Sequence, residues 1–259
     1  MPLGLANLKA LPATFKYEFA ERPHLWAWAG DTGGKPERAE MMRALNDHAS
    51  AAQIIERGVL RPFSGYAGRP GGSAAAMNVW EYSMLMRRTK FVPAPAGVSA
   101  EQFRIWEAFE AGCIPIVLAK HMAPGQVLYP LKFLGFEVVL LESWGDLPDK
   151  LLWLAEEVAH NPQVHARKQQ HNSRLWARVK VAVASRIAQS VCEDGRPGCV
   201  GGPTGGAAVG CDDTREVYCG RVHARKQQHN SRLWARVKGA VASRIAQSVC
   251  EDRRPAATE

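Results

Sequence analysis

The stretch Lys90–Lys120 constrains the fold more than any other part of the chain, because it has the pattern of strand, glycine loop, helix and strand. FVPAP is short and apolar, and its prolines are typical of an edge strand or a strand end. Ser99 lies three residues before Gln102, the spacing of a capping box, which predicts a helix start. We expect this helix to end at Ala111-Gly112, before the apolar strand CIPIVLA.

Gly97 lies where the first predicted strand gives way to the helix. A glycine lets the chain turn tightly and lets a ligand approach the backbone. The N–H groups and the positive dipole end of a helix N-terminus suit a phosphate. The sequence therefore predicts an anion-binding site at Gly97 and Ser99.

Strands and helices alternate on both sides of this unit. The predicted elements are a strand at His24–Gly30, a helix from Pro36 to Asn46, an ambiguous helix or strand from Ala51 to Leu60, a loop from Arg61 to Ser73, a helix at Met77–Arg88, a helix-like segment from Leu131 to Gly135, a buried strand at Glu137–Ser143 and a helix from Gly145 to Pro162. This order predicts an α/β fold, in which helices cover both faces of a parallel sheet. Ligands bind such sheets at the carboxyl ends of the strands, where Gly97 and Ser99 fall.

The tail of the chain contains an internal repeat. Val164–Asp194 recurs as Val222–Asp252 with one change, Val181 to Gly239. Apolar residues every four positions predict an amphipathic helix of about 25 residues. They are Leu175, Val179, Val183 and Ile187 in the first copy. Two nearly identical copies are typical of a recent duplication or a gene-model artefact, since solenoid arrays need at least about three units.

The positive charge of the chain lies in these two copies. Each contains six lysine or arginine residues and two acidic residues, so that together they account for the net charge of +8. The basic composition therefore says little about the predicted α/β domain. A nucleic-acid or anionic-surface binder that uses the twin basic helices is the least favoured hypothesis.

The spacing of the cysteines and the hydropathy of the chain bear on three further possibilities, namely a zinc site, a membrane-spanning helix and a signal peptide. The six cysteines form no CxxC, and no Cys/His spacing matches a zinc site. Cys113 opens an apolar strand, which favours a small buried core residue. No apolar run approaches the roughly 20 residues that cross a bilayer. The first residues lack a signal-peptide core followed by a cleavage site.

The residues around Gly97 also resemble a known family. Tyr82 and Leu85, followed by KFVPAPAG, FRIWEAFEAGCIPIV and PLKFLGFEVVLLESWGDLPDKL, are similar to the C-terminal half of exostosin-like (GT47-type) glycosyltransferases. The ribitol xylosyltransferase branch is the most similar, and the resemblance covers roughly Trp26–Arg186. It implies the second, Rossmann-like domain of a GT-B fold, which binds a nucleotide sugar.

This resemblance implies roles for two residues of the predicted central helix. Arg104 would face the diphosphate of the donor, and Glu107 would accept hydrogen bonds from the ribose hydroxyls. A guanidinium fork neutralises phosphate charge, and a carboxylate can accept from both hydroxyls of a cis-diol. The spacing alone favours an ordinary helix ion pair, worth about 0.3–0.5 kcal/mol, and the surrounding motif favours the binding role. Glu110 extends the same face or is solvated.

The first predicted strand–loop–helix unit, His24–Asn46, resembles the first unit of the same nucleotide domain. The resemblance implies a phosphate or sugar contact by Arg38, together with Gly33 and Gly34. The alternative is a surface loop with a solvated arginine.

The resemblance implies an enzyme that transfers a sugar from a UDP-sugar to a glycan or glycoprotein acceptor in the Golgi or secretory pathway. It implies inverting transfer without a metal ion or other cofactor. The sequence contains no Asp-x-Asp motif of the kind that binds a metal ion. No catalytic residue is assigned, because the family's acceptor-binding N-terminal domain is not visible. The alternative is a catalytically inactive fragment or binding protein that retains the fold. No nucleic-acid partner is expected.

The predicted domain organisation has four parts. Residues 1–23 form a lead-in, and residues 24–194 form the nucleotide-sugar-binding domain, which ends in the first amphipathic helix. Residues 195–221 are a glycine-rich linker, and residues 222–259 hold the copy of the helix.

Overall fold

The computed structural model of the chain describes residues 17–63 and 77–193, without the side chains of residue 184 and residues 186–193. Five strands of this part form one sheet in the order β2–β1–β3–β4–β5, and every neighbouring pair is parallel. The strands are β1 (His24–Asp31), β2 (Gly58–Phe63), β3 (Thr89–Pro93), β4 (Ile114–Leu118) and β5 (Val139–Leu141). The prediction of an α/β, Rossmann-like parallel sheet is confirmed.

Helices connect the strands and cover the sheet. They are α1 (Pro36–Asp47), α2 (Ala51–Glu56), α3 (Val79–Arg87), α4 (Phe103–Ala111), α5 (Tyr129–Phe133), α6 (Leu147–His160) and α7 (Pro162–Glu193), with short 3₁₀ turns at Ala119–Met122 and Trp144–Asp146. Helices α1, α2 and α6 contact one another, and α3 contacts α4. The two groups lie on opposite faces of the sheet, since alternate residues of β1 pack against them: Trp26 and Trp28 against the first group, and Ala27 and Ala29 against α3.

The direction in which successive strands are added to the sheet reverses at β1. The connection from β1 leads outward to β2, and the connection from β2 crosses back to β3 on the other side of β1. Such a reversal leaves a crevice at the carboxyl ends of the two central strands, where open α/β sheets bind ligands. In this chain the crevice lies beside Asp31, the last residue of β1.

The core beneath this edge is built on large aromatic side chains. Trp26, Trp28 and Trp144 are all buried, and the indole Nε1 of Trp26 donates to the carbonyl of Ile54 at 2.9 Å. A Cβ on Gly58 would come within 2.3 Å of that indole nitrogen. The second strand can therefore begin beside Trp26 only because its first residue is glycine.

The unit formed by β3, α4 and β4 differs from its prediction at the start of the helix. The predicted capping box at Ser99 is wrong, because α4 begins at Phe103 and its N-cap residue is Gln102. Ser99 Oγ instead accepts from the Glu101 N–H at 3.2 Å, and Gln102 Nε2 donates to the Pro95 carbonyl at 2.5 Å. The amide of Gln102 thus braces the loop and does not cap the helix.

The other elements follow the sequence with local differences. Of the two alternatives for FVPAP, the structure has the strand end, since β3 is central and Pro93 is its last residue. The ambiguous segment contains both α2 and β2, and the predicted loop begins later than expected because β2 runs to Phe63. Residues 64–76 of that loop lie outside the described part. The expected buried strand at Glu137–Ser143 is a shorter edge strand, with Leu140 47% exposed.

The described end of the predicted lead-in is part of the folded domain. Phe19 and Arg22 are each 1% exposed. The Arg22 guanidinium donates to the carbonyls of Thr89 at 2.7 Å and Ala111 at 2.8 Å. These two residues tie the segment before β1 to the start of β3 and to the end of α4.

The chain divides into two units after Trp176, within α7. In the first unit Trp176 stacks on Trp106 with 5.3 Å between ring centroids, and its Nε1 donates to Glu110 Oε2 at 2.5 Å. Glu110 therefore holds the part of α7 that ends at Trp176 against α4. In the second unit only residues 177–193 are described, and the predicted linker and second helix copy lie outside them. None of the described helices is both long and apolar enough to span a membrane.

Candidate functional site

A cavity of about 360 Å³ opens at the carboxyl end of β1. The ends of β1 and β2 form its floor, and the first turns of α3 and α4 form its walls. Its lining residues are Ala29, Gly30, Asp31, Arg38, Phe63, Met77, Asn78, Val79, Tyr82, Gln102, Phe103, Arg104 and Glu107. The structure thus brings Arg38, Arg104 and Glu107 together in one cavity beside the reversal in strand order.

Arg104 lines this cavity, and the end of β1 holds its guanidinium in place. Its Nη2 donates to the carbonyl of Ala29, and its guanidinium lies over the Trp28 ring, 5.1 Å from the centroid. Its Nε and Nη1 are buried, and no acceptor within residues 17–63 and 77–193 reaches them. An unsatisfied buried donor costs about 1–3 kcal/mol, and more on a charged group. The positive charge of Arg104 beside the cavity suits an anion, and an anion oxygen that displaced the covering side chains would satisfy these two donors.

Glu107 lies one helical turn after Arg104 and is 3% exposed. Its Oε2 accepts a hydrogen bond from the Tyr82 hydroxyl at 2.6 Å. Burial and the Glu107 carboxylate raise the pKa of Tyr82 well above its usual range, although the Arg104 charge opposes this shift. Tyr82 is therefore a protonated donor at neutral pH, and it fixes one side of the Glu107 carboxylate.

Arg38 comes to the same cavity from α1. Its side chain is largely buried, its Nη1 donates to the carbonyl of Asp31 at 2.5 Å, and its Nη2 lies 3.4 Å from Gln102 Oε1. A Cβ on Gly97 would come within 2.9 Å of Nη2, so the absence of a side chain at Gly97 makes room for Arg38. The alternative of a solvated surface arginine is not what the structure has.

The two arginines are attached to carbonyl groups two residues apart on one strand, at Ala29 and Asp31. Carbonyls at that spacing point the same way along a strand. Two positive charges therefore lie at the end of β1, in a cavity that the carboxylates of Asp31 and Glu107 also line. The two guanidinium groups suit a ligand with a negatively charged part.

The glycines and Ser99 contribute less directly. Ser99 is exposed and does not line the cavity. Gly33 donates its N–H to Asp31 Oδ1 at 2.9 Å, and Gly34 has a left-handed backbone with φ of 60°. These two glycines shape the turn between β1 and α1 that brings Arg38 into place.

Glu37 is a residue of this edge that the sequence analysis missed. Its Oε1 lies 2.7 Å from His121 Nε2 and 3.4 Å from Lys120 Nζ. Its Oε2 accepts from the Ala96 N–H at 2.8 Å and from Trp144 Nε1 at 3.0 Å. Burial alone raises the pKa of Glu37, but the hydrogen bonds from Trp144, Ala96 and His121 outweigh it and hold the pKa below its usual value.

This carboxylate ties α1 to the segments that follow β3, β4 and β5. An acidic residue in the first turn of a helix is common for electrostatic reasons alone, so the sequence carried no specific signal for this role. Tyr82 and Trp28 were missed for a related reason, because each lies in an apolar pattern that is equally typical of a core residue.

Among the residues that the structure describes, no three His, Cys, Asp or Glu side chains are close enough together to hold a metal ion. The polar side chains that line the cavity are two guanidinium groups, two carboxylates, one phenol and two amides, from Arg38, Arg104, Asp31, Glu107, Tyr82, Asn78 and Gln102.

A profile of the RXYLT1 C-terminal domain family matches residues 15–193, which is more than half of the chain. The match contains every residue that lines the cavity. It also confirms the resemblance seen in the motifs around Gly97. No curated protein and no solved structure gives a significant match to the chain.

Proposed function

The chain belongs to the RXYLT1 C-terminal domain family, a family of glycosyltransferase type, and on that premise we propose that its α/β domain binds the nucleotide-sugar donor of a glycosyl transfer. The donor is a UDP-sugar and the acceptor is a glycan or glycoprotein of the secretory pathway. Transfer inverts the anomeric centre and uses no metal ion.

The observation that carries this proposal is the state of Arg104. Two of its donors are buried without an acceptor among the described residues, while Ala29 and Trp28 hold the guanidinium in place. These two atoms are closed off from solvent, so a phosphate oxygen would accept from them in a charge-assisted hydrogen bond once the donor displaces the side chains that cover them. The diphosphate of the donor supplies that oxygen.

Arg38 provides the second positive charge. It is anchored to the carbonyl two residues further along β1, so the two guanidinium groups flank the same stretch of backbone. A nucleoside diphosphate carries charge on both phosphates. The pair therefore favours a diphosphate over a monophosphate, with Gly97 giving Arg38 the space that it needs.

Glu107 accounts for the nucleoside end of the donor. Its buried carboxylate lines the cavity on the same helix face as Arg104. A carboxylate can accept from both hydroxyls of a ribose. Diphosphate at Arg104 and ribose at Glu107 would place the nucleotide along the first turns of α4.

The catalytic contribution of this domain is the stabilisation of the leaving group. Departure of the sugar leaves additional negative charge on the terminal phosphate of UDP, and fixed cations aimed at that oxygen lower the barrier. Arg104 and Arg38 supply those cations. The general base and the acceptor site belong, in this proposal, to the N-terminal domain that completes a GT-B enzyme.

Calorimetric titration of the chain with UDP and UDP-sugars tests the proposal. We expect binding by the parent and its loss in Arg104→Ala. Arg43→Ala is a matched control, because Arg43 is exposed and does not line the cavity. A folded parent that binds none of these compounds would contradict the proposal. A parent that binds UDP without any turnover in the presence of an acceptor and the completing domain would favour the inactive, fold-retaining alternative.

A further inference from the structure

A second cavity, of about 350 Å³, lies at the amino ends of the strands, on the opposite edge of the sheet from the cavity that contains Arg104. It is lined by Arg22, which donates to the carbonyl of Thr89 at the start of β3, and by Gly112, which lies just before β4. We call it the amino-edge cavity and the first one the donor cavity. The two cavities share no lining residue, so the chemistry of the donor cavity does not account for the second one.

Arg22 shapes the amino-edge cavity, but its hydrogen-bond donors are already engaged. Its Nε and Nη2 each donate to the Tyr17 carbonyl at 3.3 Å, and Nη2 also donates to that of Ala111 at 2.8 Å. Its Nη1 donates to the Thr89 carbonyl at 2.7 Å and lies 3.6 Å from Cys113 Sγ. All three nitrogens of the guanidinium thus hold the wall of the cavity in place, and a ligand must find its hydrogen-bond partners on other residues.

Gln169 of α7 offers such a partner. It lines the cavity and is 7% exposed, and within residues 17–63 and 77–193 its amide has no hydrogen bond. Its nitrogen and oxygen are not closed off from solvent, so the amide faces the cavity. Asn172, one turn later, shows the contrast, because its amide accepts from the Glu137 N–H at 2.9 Å and donates to the Glu137 carbonyl at 2.7 Å. A nearly buried amide without a partner is costly, and a ligand in the cavity would remove that cost.

Gly112 leaves the space that this amide occupies. A Cβ at residue 112 would come within 3.1 Å of Gln169 Nε2 and within 2.8 Å of Arg22 Nη2. The residue has a left-handed backbone, with φ of 75°, and it caps the end of α4. The glycine that ends α4 thus also allows Gln169 and Arg22 to lie side by side at the cavity.

The lining of the amino-edge cavity suits an uncharged ligand that is rich in hydroxyl groups. Glu18 places a negative charge beside the positive charges of Arg22 and Arg174, so the cavity does not strongly favour an ion of either sign. A primary amide presents two donors and an acceptor, and a hydroxyl group both donates and accepts. The ring of Tyr17 adds apolar surface on which the C–H face of a sugar ring can pack.

We propose that the amino-edge cavity is a binding site for an uncharged saccharide, with the amide of Gln169 as its main hydrogen-bonding group. The saccharide is bound there and not transformed. Because the site lies apart from the donor cavity, the inference does not rest on the proposed function.

The test is a titration of the full chain with cellotriose, xylotriose and mannotriose, followed by NMR at the backbone amide of Gly112. We expect at least one trisaccharide to shift this signal, with a Kd of about 1 mM. Gln169→Met keeps the volume of the side chain but removes the amide, and we expect it to raise the Kd about tenfold. The control is Gln163→Met, since Gln163 is exposed on the same helix and does not line the cavity. Arg104→Ala should bind the saccharide as the parent does.

A folded parent whose Gly112 signal responds to none of the trisaccharides at concentrations on the order of 10 mM overturns this inference and leaves the proposed function standing. A response to sodium sulfate alone overturns it in favour of an anion site. Equal affinities in the parent and Gln169→Met also overturn it, and binding that is lost in Arg104→Ala instead places the saccharide in the donor cavity. If Gln169→Met does not fold, Gln169→Asn is the second variant, because its amide is withdrawn by one methylene group, and unchanged affinity in that variant overturns the inference.

Discussion

The Arg104 guanidinium lies over the indole ring of Trp28, 5.1 Å from the ring centroid, while Nη2 is bound to the carbonyl of the next residue, Ala29. The ring supports one face of the cation, and the carbonyl fixes its rotation. This relationship determines which of the guanidinium donors are left for a ligand.

The first prediction concerns this ring. Trp28→Phe keeps an aromatic side chain but weakens the cation–π contact, by about 1 kcal/mol at a desolvated site. We expect the Kd for UDP to rise roughly fivefold. The control is Trp153→Phe, since Trp153 is 48% exposed and has its own cation contact, with Lys150 at 4.5 Å. Equal affinities for UDP in the parent and Trp28→Phe would show that the ring does not hold the cation.

The second prediction concerns the space beside Arg38. A methyl group at residue 97 would lie 2.9 Å from Arg38 Nη2, so Gly97→Ala displaces the guanidinium. We expect the Kd for UDP to rise about tenfold, the equivalent of about 1.4 kcal/mol.

A double-mutant cycle checks the cause of that loss. If Gly97→Ala acts through Arg38, the same substitution made in Arg38→Ala has little further effect, because contacting residues are not additive. Additive losses in the double variant would mean that residue 97 acts on the ligand independently of Arg38.

The third prediction concerns stability at low pH. The pKa of Glu37 is lowered in the folded state, so its contribution is present above the unfolded pKa of about 4.3 and is lost as the pH falls through the lower folded value. Glu37→Gln is expected to cost about 1–3 kcal/mol of unfolding free energy at pH 7. Urea unfolding at pH 7 and at about pH 3.5 measures both values.

The variant should lose less stability than the parent between these two pH values, because it has no Glu37 carboxylate to protonate. Glu156→Gln is the control, since Glu156 is exposed. If the variant and the parent lose the same free energy on acidification, Glu37 is not the linked group.

The fourth prediction concerns His165, which is 3% exposed between the rings of Phe19 and Phe91. Neither of its ring nitrogens has a hydrogen-bond partner in the described part of the chain. Burial, and then the Lys168 charge, lower its pKa in the folded state, while Glu157 opposes the shift. The unfolded chain therefore binds a proton first, and stability falls as the pH drops below about 6.5.

His165→Leu removes this linkage. Between about pH 7 and pH 5 we expect its thermal midpoint to fall less than that of the parent, whereas the exposed His160→Gln should follow the parent. A parallel decline of the parent and His165→Leu over this range would exclude His165 as the origin of the pH dependence.

The sheet and the central motif were accessible from sequence because their signals are local. The apolar runs at β1, β3 and β4 and the glycine after α4 each identify an element within about ten residues. The family resemblance then directed attention to Arg104 and Glu107, and the structure places both in one cavity.

The contacts of Tyr82 and Glu37 could not be predicted from the sequence in the same way. Tyr82 has the helical spacing of a core residue, and only the packing of α3 on α4 reveals its contact with Glu107. Glu37 reaches His121 and Trp144, 84 and 107 residues away along the chain. A contact that depends on the order of the strands in the sheet cannot be predicted from a local sequence pattern.

The attachment of both arginines to main-chain carbonyls has an evolutionary consequence. The distance between the two positive charges is set by the repeat of a β-strand, and the side chains at positions 29 and 31 do not enter into it. The side chains at these positions are constrained for other reasons, since Ala29 is buried and Asp31 Oδ1 accepts from the Gly33 N–H in the turn that positions Arg38. A substitution that respects those two constraints leaves the charge separation unchanged, whereas the loss of either arginine removes it.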